Sequence, residues 1–182
     1  LLMVERAAGM AFAGGAQVFP GGRIDPGDRG LAAELGLTDG AAKVAAIRET
    51  IEETAIPVGV APLPSSADAA KLQQELIADR PFAGLLDEFG LELTPETLTP
   101  FARWLPNFHV TRRFDTLFYI ARAPSGEWAP KAMEGECTGA FWLPAADALD
   151  REQRGEARLI FPTRRNLERL AQHGSFAEMA AD

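Results

Sequence analysis

Cysteine is almost absent from this chain of 182 residues, since Cys137 is the only one. A single cysteine excludes an internal disulfide and favours a reducing compartment. The chain also lacks the uninterrupted run of about 18 apolar residues that a membrane-spanning helix needs, and Leu1 to Val4 are too few for the hydrophobic part of a signal peptide. We therefore predict a soluble, cytoplasmic protein with no membrane partner.

An excess of positive charge is missing as well, because 18 Lys and Arg residues stand against 26 Asp and Glu residues, for a net charge of -8. Generic binding to nucleic acid needs clustered Lys and Arg, so we predict no nucleic-acid partner. An acidic protein that handles a polyanion needs a local cation, which a metal ion can supply. The composition is that of a globular protein, and the length suits one domain over residues 1–182.

The order of apolar runs and turn residues predicts an α/β protein. Strands are predicted over residues 1–5, 16–19, 98–105, 115–121 and 140–143. Helices are predicted over residues 41–54, 68–79, 81–89, 144–149 and 162–172, with Thr38 or Asp39 as the N-cap of the first. Residues 62–97 are interpreted as a helical insertion that lies beside the functional cleft as a specificity element. Together these elements predict a layered α/β sandwich with a mixed sheet.

Three glutamates share one face of the predicted helix over residues 41–54. Glu49, Glu52 and Glu53 stand at positions i, i+3 and i+4. The opposite face is aliphatic and therefore buried; it carries Val44, Ile47 and Ile51. A cation would relieve the repulsion between the carboxylates, and oxygen ligands without His or Cys nearby favour magnesium or manganese over zinc. Taken alone, however, such a cluster is more often a solvated acidic helix face.

The residues before and along this helix resemble the signature of the Nudix hydrolase family. A loop from Phe19 to Gly22 precedes the helix, and Gly22 is followed after five residues by Asp28. The second half of the signature runs from Arg48 to Ile56 as RETIEETAI. The resemblance implies a Nudix-type α/β/α sandwich and an enzyme that hydrolyses a diphosphate bond with Mg²⁺ or Mn²⁺.

The resemblance also implies roles for individual residues. Glu49, Glu52 and Glu53 are expected to bind the metal and to carry catalysis. The carbonyl of Gly21 is expected to add a further oxygen ligand, and Arg48 to orient a glutamate from beside it. Which glutamate serves as the general base is left open.

Several positions depart from the family pattern. Residues 29–47 make the interval between Asp28 and Arg48 longer than the family's, and Asp28 stands where the family has Glu. Thr50 replaces an aliphatic residue, and Ala55 replaces the glycine that normally follows the helix, so we expect a changed C-cap. A non-catalytic Nudix domain would be expected to lose its glutamates first, and all three are present.

Glu136 precedes Trp142 by six residues, which resembles an acid and tryptophan late in Nudix chains. Glu136 is therefore a candidate metal ligand or base, with Glu134 as its competitor and a solvated loop acid as the alternative for either. Three arginines are candidate phosphate contacts, with surface charge as the alternative: Arg103, Arg112 and Arg113. His109 is a weaker candidate, and Trp104 and Phe108 are interpreted as base-stacking or core residues.

The chain is similar to one subfamily, the coenzyme A diphosphatase-like Nudix proteins, and this resemblance spans nearly its whole length. It is carried by the segments Val18 to Gly22, Arg48 to Glu53 and Arg112 to Thr116. It implies a small-molecule nucleotide diphosphate substrate, with coenzyme A or an acyl-coenzyme A favoured. Hydrolysis of ADP-ribose or a nucleotide sugar, and a non-catalytic nucleotide-binding module, are the alternatives. A homodimer is left open.

Overall fold

The computed structural model describes residues 1–10, 12–38, 40–105 and 115–181. Within them the strands are β1 (Leu2–Arg6), β2 (Gln17–Val18), β3 (Val60–Ala61), β4 (Glu92–Leu93), β5 (Thr99–Trp104), β6 (Thr116–Ile120) and β7 (Cys137–Trp142). The helices are α1 (Pro26–Glu34), α2 (Ala41–Thr54), α3 (Ser66–Ile77), α4 (Phe82–Phe89), α5 (Ala145–Gln153), α6 (Phe161–Leu170) and α7 (Phe176–Ala181), with a 3₁₀ turn at Pro95–Thr97. The predicted α/β class is confirmed.

Strand β1 lies at the centre of the largest sheet, between β2 and β7, and both pairings are antiparallel. Strands β5 and β6 form a second antiparallel pair, and β3 and β4 a third. In the described part of the chain, parallel pairing is limited to an isolated bridge between Gln17 and Leu159. The described strands thus pair antiparallel, and the predicted mixed sheet has this one bridge as its parallel component.

The alternation of side chains along β1 produces the layers. Met3 packs on one side of the sheet against Leu143 and Leu167, which brings α5 and α6 onto that face. Val4 packs on the other side against Val18 and other small apolar residues. Because successive residues of a strand point to opposite faces, both faces of this sheet are covered.

Helix α2 occupies the predicted span, and its aliphatic residues Val44, Ile47 and Ile51 are fully buried. Its N-cap is Gly40 rather than Thr38, and Asp39 lies outside the described residues. The C-cap of the helix is Ala55, whose φ of 57° is left-handed. This conformation costs a residue with a side chain roughly 1–2 kcal/mol. The family's glycine cap is therefore replaced in sequence, while the left-handed backbone is kept.

The helices within residues 62–97 belong to the main hydrophobic core. Helix α3 packs on the aliphatic face of α2, and α4 packs on α3 and α1; their buried apolar side chains join one core cluster and include Leu72, Leu76, Phe82, Leu85 and Leu86. The buried Gln73 amide donates to the carbonyls of Glu52 (3.0 Å) and Lys131 (2.8 Å). The segment packs mainly on the face of α2 opposite the glutamates, although Gln73 reaches the backbone of Glu52 and the charge of Asp79, just after α3, acts on the Glu52 carboxylate. A role for this segment as a specificity element stays a prediction.

None of the helices in the described ranges is both long enough and apolar enough to cross a membrane.

Candidate active site

Glu53 is the most deeply buried of the three helix glutamates, with 3% of its surface exposed. Its Oε2 accepts a hydrogen bond from the backbone N–H of Gly21 at 2.9 Å, and its Oε1 lies 3.5 Å from Nη1 of Arg6. Burial raises the pKa of Glu53 to about 8, and the Gly21 hydrogen bond only partly offsets this effect. The carboxylate is thus held between the glycine loop and the end of β1.

The glycine loop lies directly against Glu49. A side chain at Gly22 would place its Cβ 2.2 Å from Oε1 of Glu49, so any other residue here would displace the carboxylate or the loop. Gly21 has a φ of 153°, which also favours glycine. Burial raises the pKa of Glu49 to about 7, despite the opposing charge of Arg48. The two glycines therefore let the loop approach α2 closely enough to touch two of its glutamates.

Arg48 distributes its donors over the residues around it. Its Nη2 donates to Oε1 of Glu49 and its Nη1 to Oε2 of Glu52, each at 3.0 Å. Nη2 also lies 3.0 Å from the carbonyl oxygen of Arg23. Burial alone would lower the pKa of Arg48, but the hydrogen bond to Asp28 and the nearby negative charges raise it. Arg48 therefore orients two glutamates, whereas the sequence predicted that it would orient one.

Asp28 is a site residue that the sequence reasoning left out of its candidate set. It is 2% exposed and binds Arg48 with both carboxylate oxygens, at 2.9 and 3.0 Å. It also accepts from the backbone N–H of Asp25 at 2.8 Å, which fixes the start of α1. Its place at the family's first acidic position was the available signal.

Glu136 is half-buried, and its competitor Glu134 is exposed. Glu136 together with Glu49, Glu52 and Glu53 is called the glutamate cluster below. The charge of Glu136 acts on both Glu52 and Glu53, and its carbonyl accepts from the N–H of Ala7 at 2.8 Å. That bond attaches the turn before β7 to the residue after β1. Cys137, the next residue, is buried, and burial raises the pKa of its thiol to about 11. The neighbourhood thus agrees with Glu136 as the loop acid.

A comparison with protein-family models and with curated proteins finds no match. A comparison with solved structures finds the crystal structure of a Nudix hydrolase from Alicyclobacillus acidocaldarius. It matches with a TM-score of 0.81 and 28% sequence identity, over 100% of this chain and 87% of that one. This likeness in fold and sequence supports a Nudix hydrolase.

The likeness to a Nudix hydrolase supports hydrolysis of nucleoside diphosphate derivatives as the general reaction, and Nudix hydrolases generally use divalent cations such as Mg²⁺. The donor set fits such a cation, because carboxylate oxygens are the ligands that hard cations prefer. Buried carboxylates with raised pKa values also stand to gain from a nearby positive charge. Within the described residues, no group of three or more acidic, His or Cys side chains is arranged so that it could hold a metal ion as it stands.

The predicted substrate arginines are only partly within the described ranges. Arg112 and Arg113 lie outside them, as do His109 and Phe108. Arg103 is described and forms two hydrogen bonds with Asp115, at 2.8 and 2.6 Å. Its donors therefore already have a carboxylate partner.

Trp104, for which base stacking and core packing were the two interpretations, contacts residues of α6. Its indole N–H donates to Oδ1 of Asn166 at 3.2 Å, and its ring meets the exposed ring of Phe161 edge-on, with 5.5 Å between centroids. These contacts attach β5 to α6 at the edge of the fold.

Proposed function

We propose that this Nudix hydrolase splits the diphosphate bond of a nucleoside diphosphate derivative, with Mg²⁺ or Mn²⁺ held by its glutamate cluster. The ligands would be the Gly21 carbonyl and the carboxylates of Glu49, Glu52, Glu53 and Glu136. The observation that carries this proposal is the burial of Glu53 against the Gly21–Gly22 loop, with Glu49 and Glu136 close enough to act on it electrostatically. A fold that buries several acids together favours a cation among them.

When bound, the cation would neutralise diphosphate charge and favour an ionised water. The chain's own residues provide the positioning. Arg48 aligns Glu49 and Glu52 through its two 3.0 Å bonds, while Asp28 keeps the guanidinium in place. The Gly21 amide holds one oxygen of Glu53 and leaves the other beside Arg6. Glu136 and the helix glutamates are the candidates to accept a proton from water.

Coenzyme A or an acyl-coenzyme A is the proposed substrate, on the strength of the subfamily resemblance. Cleavage at its diphosphate would give 3′,5′-ADP and a phosphopantetheine product. Arg112 and Arg113 are the proposed contacts to the additional 3′-phosphate, because charge-assisted bonds to phosphate favour arginine. Arg103 would have to exchange Asp115 for a phosphate to contribute. A cytoplasmic location, a homodimer and the absence of nucleic-acid and membrane partners stay predictions.

The substrate proposal is tested by kcat/KM for coenzyme A, dephospho-coenzyme A, ADP-ribose and UDP-sugars, with products identified by mass. Coenzyme A is expected to be preferred, and Arg112→Ala or Arg113→Ala to weaken its binding by about 1.5–3 kcal/mol. A tenfold preference for ADP-ribose or a sugar nucleotide would contradict coenzyme A as the substrate and leave only the broader diphosphatase proposal. Nucleotide binding without turnover in the presence of Mg²⁺ would indicate a non-catalytic module.

A further inference from the structure

Arg6 is a second arginine in the glutamate cluster, and it comes from the sheet instead of the helix. It is the last residue of β1, opposite Cys137 of β7. Its N–H donates to the Ala16 carbonyl and its own carbonyl accepts from the Gly15 N–H, each at 3.0 Å. These two bonds hold the backbone on the side of the segment before β2, and β7 pairs with β1 on the other side, so the position from which the side chain enters the site is set.

The donors of Arg6 are little used. Its contact with Glu53 is 3.5 Å, longer than a normal hydrogen bond. Its Nε is buried and has no hydrogen-bond partner among the described residues. Arg48, by contrast, bonds at 2.9–3.0 Å to three carboxylates and a carbonyl. A guanidinium carries five N–H donors, so Arg6 has donors left over beside a cluster meant for an anionic substrate.

The surroundings of Arg6 explain why its charge is needed there. Glu49 and Glu136 both act on Glu53, so negative charge is crowded on the inner side of the site. The Arg6 side chain is 15% exposed and the Glu53 side chain is 3% exposed, so Arg6 is the more accessible partner of this ion pair. An anion that entered the site would meet the guanidinium there.

We propose that Arg6 contacts a phosphate of the substrate, and that its long ion pair with Glu53 is the resting contact it leaves when a diphosphate binds. The planar fork of a guanidinium suits two oxygens of one phosphate. Arg6 thereby differs from Arg48, whose donors are committed to positioning carboxylates. This inference rests on the proposed diphosphate site.

The test uses methylenediphosphonate, a diphosphate that is not hydrolysed, titrated calorimetrically into the Mn²⁺-loaded protein. Arg6→Gln is expected to weaken its binding about tenfold, the loss expected for one charged contact. Arg6→Lys keeps the charge and should recover part of that binding. Arg158→Gln is the matched control, since this exposed arginine bonds to Gly14 of the neighbouring loop and should change nothing. Mn²⁺ binding without diphosphonate is measured in parallel by electron paramagnetic resonance.

The outcomes separate a phosphate contact from a structural brace. Weaker diphosphonate binding in Arg6→Gln with unweakened Mn²⁺ binding supports the proposal. Binding within twofold of wild type, an equal loss of Mn²⁺ affinity, or no recovery with Arg6→Lys would overturn it. If Arg6→Gln does not fold, the comparison of Arg6→Lys with wild type decides. Arg6→Lys is then expected to bind diphosphonate more weakly than wild type while its Mn²⁺ binding is not weakened. Failure of the wild-type protein to bind diphosphonate and to hydrolyse any diphosphate would overturn the proposed function as well.

Discussion

Arg48 and Asp28 form a two-point ion pair in the interior, with distances of 2.9 and 3.0 Å. Asp28 belongs to the first turn of α1 and Arg48 to the middle of α2, so the pair joins the two helices across the long interval of residues 29–47. With one edge of its guanidinium fixed in this way, Arg48 directs its other donors to Glu49 and Glu52. The pair therefore sets the position of the site as well as the packing of α1.

Asp28→Ala is expected to destabilise the fold by about 3–5 kcal/mol, because it leaves a buried guanidinium without its main partner. The measurement is the free energy of unfolding in denaturant. Glu156→Gln is the matched control, since the Arg154–Glu156 pair is exposed and should contribute little to stability. Equal losses in the two variants would contradict the role given to Asp28.

Glu136→Gln is expected to lower kcat more than Glu134→Gln does. Glu136 is half-buried and its charge acts on Glu52 and Glu53, whereas Glu134 is exposed two residues earlier. Steady-state kinetics with saturating Mg²⁺ provide the comparison. The reverse order would transfer the role of loop acid to Glu134.

Local sequence patterns predicted the helix that carries the three candidate glutamates. The aliphatic spacing of α2 predicts both its span and its buried face, and this in turn places Glu49, Glu52 and Glu53 together. The family signature added the glycine loop, whose contact with Glu49 requires the absence of a side chain at Gly22. These features depend on residues close in sequence.

The parts that sequence reasoning missed depend on distant partners. Helix α1 was not predicted, because its Pro and Gly residues are typical of a turn, and it is fixed by Asp28 and Arg48. Strands β3 and β4 contain two residues each, and the pairing of Val60 with Leu93 has no local signal. The same is true of Arg6, whose role depends on a glutamate in another element.

Leu72→Ala in α3 is expected to cost about 2–5 kcal/mol of stability, because Leu72 is fully buried in the core beside α2. Ile77→Ala at the end of the same helix is the control, since 38% of Ile77 is exposed. Denaturant unfolding distinguishes them. A Leu72→Ala protein of nearly wild-type stability with altered substrate preference would contradict the structural role of Leu72 and support a specificity role for residues 62–97.

Without metal, the protein is expected to lose stability as the pH rises. Burial raises the pKa of Glu49 to about 7 and of Glu53 to about 8, from 4.5 in the ordinary state. The folded protein therefore holds protons that the unfolded chain releases, so this contribution is complete below pH 4.5 and disappears as the pH passes 7 to 8. Melting temperatures in EDTA should fall across this window, and less so in Glu53→Gln. A Tm that rises with pH would contradict these shifts.

The role of the glutamate cluster is tested most directly by Mg²⁺-dependent turnover of a nucleoside diphosphate derivative by wild type and Glu53→Gln. A glutamine keeps an oxygen for the Gly21 N–H but has no charge to offer a cation. We expect wild-type turnover to require Mg²⁺, and Glu53→Gln to reduce it by about a hundredfold or more while the free energy of unfolding changes by no more than about 1 kcal/mol. Turnover near the wild-type rate in Glu53→Gln, or undiminished wild-type turnover in EDTA, would contradict the account.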